Sequence, residues 1–183
     1  MARKKRIWFP GATYHITARG NRKELIFYDN RDKYKYIDLL KETRRKYPFL
    51  LHAYCLMNNH LHLQLETKED SISRIMGLIH TKYAIYFNNR HSLIGHVFQD
   101  RYGSNLIHNA NYFLTVNRYI HLNPVEANIV SKPEDYQWSS YREYITSTKN
   151  PVVTTSKTLS YFTNSNIKFY RSFIEETSDE TEM

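Results

Sequence analysis

Residues 56–66 read Leu-Met-Asn-Asn-His-Leu-His-Leu-Gln-Leu-Glu, and polar and apolar side chains alternate along its second half. Such alternation predicts a β-strand, because successive side chains of a strand point to opposite faces of the sheet. The three leucines would then bury one face, while His60 and His62 project from the other. Two imidazoles on one strand face can hold a divalent metal. Ordinary half-buried histidines would give the same pattern.

Periodicity, capping residues and prolines predict the other elements. We expect a strand over 12–18, then a helix from Asp29 or Asn30 to about Tyr47. A strand Leu50–Met57 would form a hairpin with the histidine strand across Asn58-Asn59. A helix from Ser71 to about Asn88 and a strand Tyr102–Ile107 would follow, and then a third helix that begins at Asn109 or Asn111 and ends before Pro124. This order predicts an α+β fold, an antiparallel sheet with helices packed on it in a ferredoxin-like split βαβ plan.

The length of 183 residues suits one domain with its own core. We expect this domain to span residues 1–145, with a basic N-terminal arm and, over 133–141, a turn leading into a short packed helix. Residues 146–183 would form a loose Ser/Thr-rich linker and an acidic C-terminal tail. A single cysteine and no apolar run near the ~20 residues of a membrane helix predict a cytoplasmic protein.

The charge of the chain points to a polyanion as partner. The formal net charge is +8, yet residues 171–183 hold one arginine against five acidic residues, so the rest of the chain is more basic still. Aromatic residues make up 15% of the chain, with 16 tyrosines. Nucleic-acid-binding proteins combine such rings with cationic side chains.

The predicted third helix supplies a second group of candidate residues, in the run Asn117-Arg-Tyr-Ile-His-Leu-Asn-Pro124. Tyr119 and Asn123 are four residues apart and so lie on one helical face. Because a residue before proline resists the α conformation, we expect Asn123 to end the helix with its carbonyl free. A phenol one turn from a metal-binding amide can deliver a nucleophile to a metal-bound phosphate. Alternatively, Tyr119 is a core tyrosine and Asn123 a C-terminal cap.

Taken in order, these segments resemble the single-tyrosine HUH transposases, and within them the REP-associated tyrosine transposases of bacteria. The resemblance covers about residues 8–145. It is carried by Tyr14–Asn21, Asn59–Leu63, Phe98–Tyr102, Tyr119–Val130 and Pro133–Tyr141.

The resemblance implies an HUH endonuclease-like fold with a metal bound by His60 and His62. It further implies that Asn123 completes the metal site and that Tyr119 is the nucleophile. The implied ion is Mg²⁺ or Mn²⁺, although imidazole ligands alone would also suit Zn²⁺.

Three further polar residues could belong to this site. Gln64 and Glu66 share the strand face of the histidines and could act as ligands, although a polar strand face near solvent is a simpler explanation. His15, on the first strand, could line the site or only pair across the sheet.

The implied activity is the cleavage and strand transfer of single-stranded DNA near hairpins, through a covalent 5′-phosphotyrosine and with a divalent metal. The implied partner is single-stranded DNA with a hairpin, as in a REP-like element, and the protein would be a monomer or a homodimer. The main alternative is a domesticated, catalytically silent DNA-hairpin-binding protein. An RNA-recognition module would need aromatic residues where the histidine strand carries His, Gln and Glu, and relaxases of the HUH class are usually larger.

Basic residues outside the metal site are expected to contact DNA phosphates. Solvated surface charge is the simpler alternative for the loop residues among them. The expected DNA-binding set is Arg3, Lys4, Lys5 and Arg6 in the N-terminal arm, Arg19, Asn21 and Arg22 on the loop after the first strand, and Arg101.

Overall fold

The computed structural model describes residues 7–146 and 150–176. The predicted arm residues Arg3, Lys4, Lys5 and Arg6 lie outside this part of the chain. The elements in order are β1 (Thr13–Arg19), α1 (Asn30–Lys46), β2 (Phe49–Leu56), β3 (His60–Thr67), α2 (Ile72–His91), β4 (Gly103–Ile107), α3 (Ala110–Glu126), α4 (Arg142–Ile145), α5 (Ser156–Leu159) and α6 (Ile167–Glu175), with short 3₁₀ turns at Asn21–Lys23, Pro133–Asp135 and Thr163–Ser165.

The four strands form one antiparallel sheet in the order β2-β3-β1-β4. Both the α+β class and the split βαβ plan predicted from the sequence are confirmed. The two central strands are β3 and β1, and in their register His62 lies opposite Thr17 while Gln64 lies opposite His15. The histidine strand is therefore at the centre of the sheet and is held on both sides.

Both faces of β3 are covered. Its three leucines are fully buried and share a core with the apolar residues of α1 and α2, two helices that pack against each other. The opposite face lies under α3, where the Gln64 Nε2 donates a 2.9 Å hydrogen bond to the Phe113 carbonyl. Gln64 is fully buried, so the interpretation of this residue as part of a polar face near solvent was wrong.

The third helix does not end before Pro124. It continues to Glu126, and the Ala127 N–H donates to the Asn123 carbonyl at 3.0 Å. A proline lacks one donor and disturbs the preceding turn. Only two helical residues follow Pro124, so most of the backbone hydrogen bonds of the helix lie before it and are not affected. Asn123 is consequently held within the last turns of the helix, and its side chain, not its position at an end, is what reaches the sheet.

The Ser/Thr-rich segment is not a loose linker in its described part. The Thr154 N–H donates to the Leu51 carbonyl at 2.8 Å, and the Arg44 guanidinium donates to the carbonyls of Pro151 and Val152 at 3.0 and 3.1 Å. Val152 is buried in the main core. Apolar and backbone contacts therefore fix this segment, which its composition alone does not predict.

A polar network joins the C-terminal helix to the rest of the domain. The Tyr170 hydroxyl donates to Asn117 Oδ1 at 2.7 Å and lies 2.7 Å from His121 Nδ1. The Asn117 Nδ2 in turn donates to Gln64 Oε1 at 2.9 Å. All four side chains are fully buried, so α6, α3 and β3 are connected through their interior faces.

Among the described helices, none combines the length and the apolarity needed to cross a membrane.

Candidate active site

Backbone hydrogen bonds join the turn before β3 to the loop that follows β1. The Gly20 N–H donates to the Asn59 carbonyl, and the Ile26 N–H donates to the Asn58 carbonyl, both at 2.9 Å. A Cβ at Gly20 would lie 2.0 Å from the Glu24 carbonyl oxygen, so only glycine fits this close approach. These bonds set the position of His60, the first residue of the strand.

His60 is held between two amide oxygens. Its Nδ1 lies 2.7 Å from Asn59 Oδ1, and its Nε2 lies 3.1 Å from Asn123 Oδ1. Burial lowers the pKa of His60, so at neutral pH the ring carries one proton. When Nδ1–H donates to Asn59, the Nε2 lone pair faces the lone pairs of the Asn123 oxygen.

His62 faces a third histidine. Its Nδ1 lies 3.1 Å from His15 Nε2, and the two rings stack with centroids 5.3 Å apart. Burial, together with His15 and His60 nearby, lowers the pKa of His62 to about 3. The ring is therefore neutral and keeps one unprotonated nitrogen at neutral pH.

Tyr119 projects from α3 onto these rings. Its ring is edge-on to His62 at 5.2 Å and to His15 at 5.7 Å between centroids. The side chain is 39% exposed, unlike the fully buried tyrosines of the core. Asn123, one helical turn further along, is buried against His60.

These residues open into a cleft of about 460 Å³. The cleft has His60, His62 and Tyr119 on one side, and Arg19 and Arg101 among its other lining residues. Both arginines are exposed. The cleft thus combines neutral nitrogen and oxygen acceptors, a solvent-accessible phenol and two guanidinium groups, a set suited to an anionic phosphate ester.

A comparison with known protein families identifies the family of this chain. The family model of IS200-like transposases matches residues 9–123, which is more than half of the chain. The chain belongs to the IS200-like transposase family. The family predicted from the sequence is thereby confirmed, and the matched residues include every side chain of the candidate site.

One solved structure shares the fold of this IS200-like chain. The structure of a REP-associated tyrosine transposase bound to a REP hairpin aligns with a TM-score of 0.67 at 19% identity, covering 84% of this chain and 98% of that one. A protein from Deinococcus radiodurans assigned as a candidate transposase aligns with a TM-score of 0.45 at 16% identity, covering 65% of this chain and 95% of that one. A search of curated protein sequences finds no match.

The donor set of this IS200-like chain, two imidazoles and an amide oxygen, could hold a divalent ion. Two oxygen or nitrogen acceptors 3.1 Å apart, His60 Nε2 and Asn123 Oδ1, repel each other unless a cation or a proton lies between them. Neighbouring ligands of an octahedral ion with bonds of about 2.1 Å are also about 3 Å apart. Among the residues described, no group of three or more His, Cys, Asp or Glu could hold a metal, so an ion held by His60 and His62 would need a ligand of another type.

The two alternative ligands lie elsewhere. Gln64 is engaged with α3, as described above. Glu66 accepts hydrogen bonds from His52 and Lys157, and these lower the pKa of its carboxyl to about 2. Both residues belong to the packing between β3 and the elements that follow it, so neither is brought into the cleft.

The expected DNA-binding residues are divided between two places. Arg19 and Arg101 line the candidate cleft. Asn21 and Arg22 instead line a separate surface groove beside the end of α2, and Arg22 has a left-handed backbone (φ 52°). A role of these two residues in binding DNA stays a prediction.

Two residues have more direct parts in the site than the sequence indicated. His15 was expected more as a cross-sheet neighbour, but it contacts both His62 and Tyr119. Asn59, expected only as a turn residue, positions His60. The alternation in β1 already places His15 on one face with Thr13 and Thr17; what it cannot give is the strand order, which sets β1 beside β3.

Proposed function

We propose that this chain is a metal-dependent DNA nicking and joining enzyme, which cleaves single-stranded DNA beside a hairpin through a covalent bond to Tyr119. The observation that carries the proposal is the facing pair of His60 Nε2 and Asn123 Oδ1, 3.1 Å apart, beside a cleft that both His60 and the exposed Tyr119 line. Two histidines with only a packing role would need neither an amide oxygen facing one ring nitrogen nor an accessible phenol nearby.

The reaction is a transesterification at phosphorus. The Tyr119 oxygen forms a bond to the phosphorus, the bond from phosphorus to the 3′ oxygen breaks, and the departing 3′ oxygen takes up a proton. The phenol loses its proton to the solvent that reaches this half-exposed side chain. The phosphotyrosine conserves the energy of the phosphodiester, so that a 3′-hydroxyl can reverse the step on the same or another strand.

His60, His62 and Asn123 would hold the divalent ion, Mg²⁺ or Mn²⁺. A bound ion would supply a positive charge that neutralises the scissile phosphate. The protein's own contribution is to keep both imidazoles neutral by burial and to hold the Tyr119 ring edge-on to His62. Positioning of this kind removes much of the entropic cost of bringing nucleophile and phosphate together.

The proposed substrate is a DNA hairpin flanked by single-stranded bases. Its support is the basic body of the chain and the two arginines of the cleft, together with the fold shared with a transposase whose structure contains a REP hairpin. Phosphate contacts make such binding strongly salt-dependent, because neutralised phosphates release condensed counterions.

The test replaces Tyr119 by Phe. Purified protein is incubated with labelled hairpin DNA from the flanks of its own gene, with Mn²⁺ or Mg²⁺, and analysed on a denaturing gel. The wild type should give a DNA-linked protein band, and Tyr119→Phe should give none while binding the hairpin within about twofold, since the phosphate contacts remain. Tyr112→Phe, a change on the same helix but outside the cleft, is the matched control.

A band that persists in Tyr119→Phe would refute the assignment of the nucleophile. Tight hairpin binding by the wild type with no covalent band in either metal would refute the enzymatic proposal and support the silent hairpin-binding protein instead.

A further inference from the structure

We propose that the groove between α2 and the segment 95–102 binds an unpaired nucleotide of the DNA strand that passes through the Tyr119 cleft. The inference rests on the proposed function, since it extends the path of the same substrate. It assigns to this groove a ligand class, a single-stranded nucleotide whose base enters between the helix and the segment.

The groove has the size of a ligand site. Its volume is about 580 Å³, within the range of about 300–1,000 Å³ usual for small-molecule pockets. One wall is the exposed side of α2 around Gly77 and Thr81, and the other is the segment that ends at Tyr102. The Tyr102 hydroxyl donates to the Ser73 hydroxyl at 3.4 Å and joins the two walls at one end.

The groove continues into the candidate active site. Gln99, Asp100 and Arg101 line both the groove and the Tyr119 cleft. A strand whose phosphate lies in the cleft therefore has its neighbouring nucleotide at this shared rim. Gln99 and Arg101 are exposed there, and their amide and guanidinium groups can bond to base edges or phosphates.

Gly77 is the feature that points to a ligand. It lies within α2, where glycine destabilises a helix relative to alanine. A Cβ at this position would meet no protein atom within 4 Å, so the packing of this chain does not require glycine there. A glycine that lowers helix propensity, and that the protein's own packing does not require, is expected where another molecule approaches the backbone.

Aromatic rings form the floor. The His80 and Phe98 rings stack with centroids 4.1 Å apart and an interplanar angle of 16°. The Tyr36 hydroxyl lies 3.2 Å from His80 Nε2 and holds the ring in place. Burial lowers the pKa of His80 to about 4, so this ring is neutral at pH 7, and the floor offers aromatic rings of the kind on which bases stack.

The test places a larger side chain at position 77, on the α2 wall of the groove. In Gly77→Leu the new side chain projects into the groove, and leucine is a better helix former than glycine, so the fold is expected to be retained. Asn89→Leu, an exposed change further along α2 and outside the groove, is the matched control. Binding is measured by fluorescence anisotropy with hairpins carrying single-stranded extensions of zero to eight nucleotides on either side.

The wild type and Asn89→Leu should gain affinity at one extension length, by the roughly 5- to 150-fold that stacking of one base provides. Gly77→Leu should lack this increase in affinity, and it should bind the hairpin without an extension as tightly as the wild type does. A 2-aminopurine placed at the nucleotide that gives this increase should be quenched by the wild type and not by Gly77→Leu.

The proposal would be overturned if Gly77→Leu showed the same gain in affinity, or if the wild type showed no gain at any extension length. A groove occupied by a second copy of the chain would also overturn it, and would show as a dimer in sedimentation that Gly77→Leu dissociates. Anisotropy reports binding and requires no covalent bond to Tyr119, whereas the denaturing gel reports the covalent adduct, so failure of the groove and failure of the proposed chemistry are separate results.

Discussion

Replacement of His15 by Phe is predicted to weaken metal binding without disturbing the fold. Phenylalanine keeps an aromatic ring beside His62 and Tyr119 but removes the nitrogen that lies 3.1 Å from His62 Nδ1. In the metal-binding tautomer, the His62 Nδ1–H donates to His15 Nε2, and the His62 Nε2 lone pair is free. Burial lowers the pKa of His15, so this ring is neutral at pH 7 and can accept that hydrogen bond.

The magnitude follows from what the substitution leaves behind. His62 is 6% exposed, so its Nδ1–H would lose its partner in a place that water barely reaches. A buried donor without a partner costs about 1–3 kcal/mol, which corresponds to about 5- to 150-fold in an equilibrium constant. This range includes the 10- to 100-fold effects usual for residues that orient a metal-binding histidine. We therefore expect the Mn²⁺ dissociation constant to rise by about 10- to 100-fold.

The assay is a titration with Mn²⁺ followed by electron paramagnetic resonance, at pH 7.5 and without DNA. His108→Phe, which alters an exposed histidine before α3, is the control and should bind Mn²⁺ as the wild type does. Thermal melting establishes that both variants are folded. An unchanged Mn²⁺ affinity in folded His15→Phe, or an equal loss in His108→Phe, would refute the reasoning.

Two further predictions concern stability. Tyr170→Phe removes the hydroxyl that bonds Asn117 and His121 in a buried network, and it should lower the free energy of unfolding by about 1–3 kcal/mol in urea denaturation; an unchanged midpoint would show that these hydrogen bonds contribute little to stability. Glu66 should stabilise the fold above its unfolded pKa of about 4.3, because its folded pKa of about 2 is depressed first by the hydrogen bond from His52. That contribution is lost as the pH falls toward 2, so Glu66→Gln should be less stable than the wild type at pH 7 with a smaller difference at pH 2, and a constant difference across this range would contradict the prediction.

The sequence predicted the sheet and the central residues of the site because their patterns are local. Alternation around His60 and His62 gives the strand and the shared face, and a spacing of four places Tyr119 and Asn123 together on a helix. What brings these two pairs together is the packing of α3 on the sheet, which the resemblance implied and which spacing alone does not. The contact between His60 Nε2 and Asn123 Oδ1 is a product of that packing.

The two errors have different physical origins. Ser/Thr-rich composition predicted a loose linker, but hydrogen bonds to Arg44 and Leu51 hold residues 150–154 against the domain. Pro124 predicted a helix end, although a proline this close to the C-terminus removes few bonds. Partners that lie far away in the chain overrule the composition in the first case, whereas the second outcome is a local property of the helix end.

The buried chain of hydrogen bonds from Gln64 through Asn117 to Tyr170 also defines the smallest fragment worth making. The family match ends at residue 123, yet the helix that bears Tyr119 is contacted on its buried side by Tyr170, which lies 53 positions after its partner Asn117. A fragment cut at the family boundary would expose Asn117 and His121 to water and leave the helix free to shift against β3. Domain swaps and fusions that preserve the chemistry should therefore join the chain after α6, not after the last residue of the metal site.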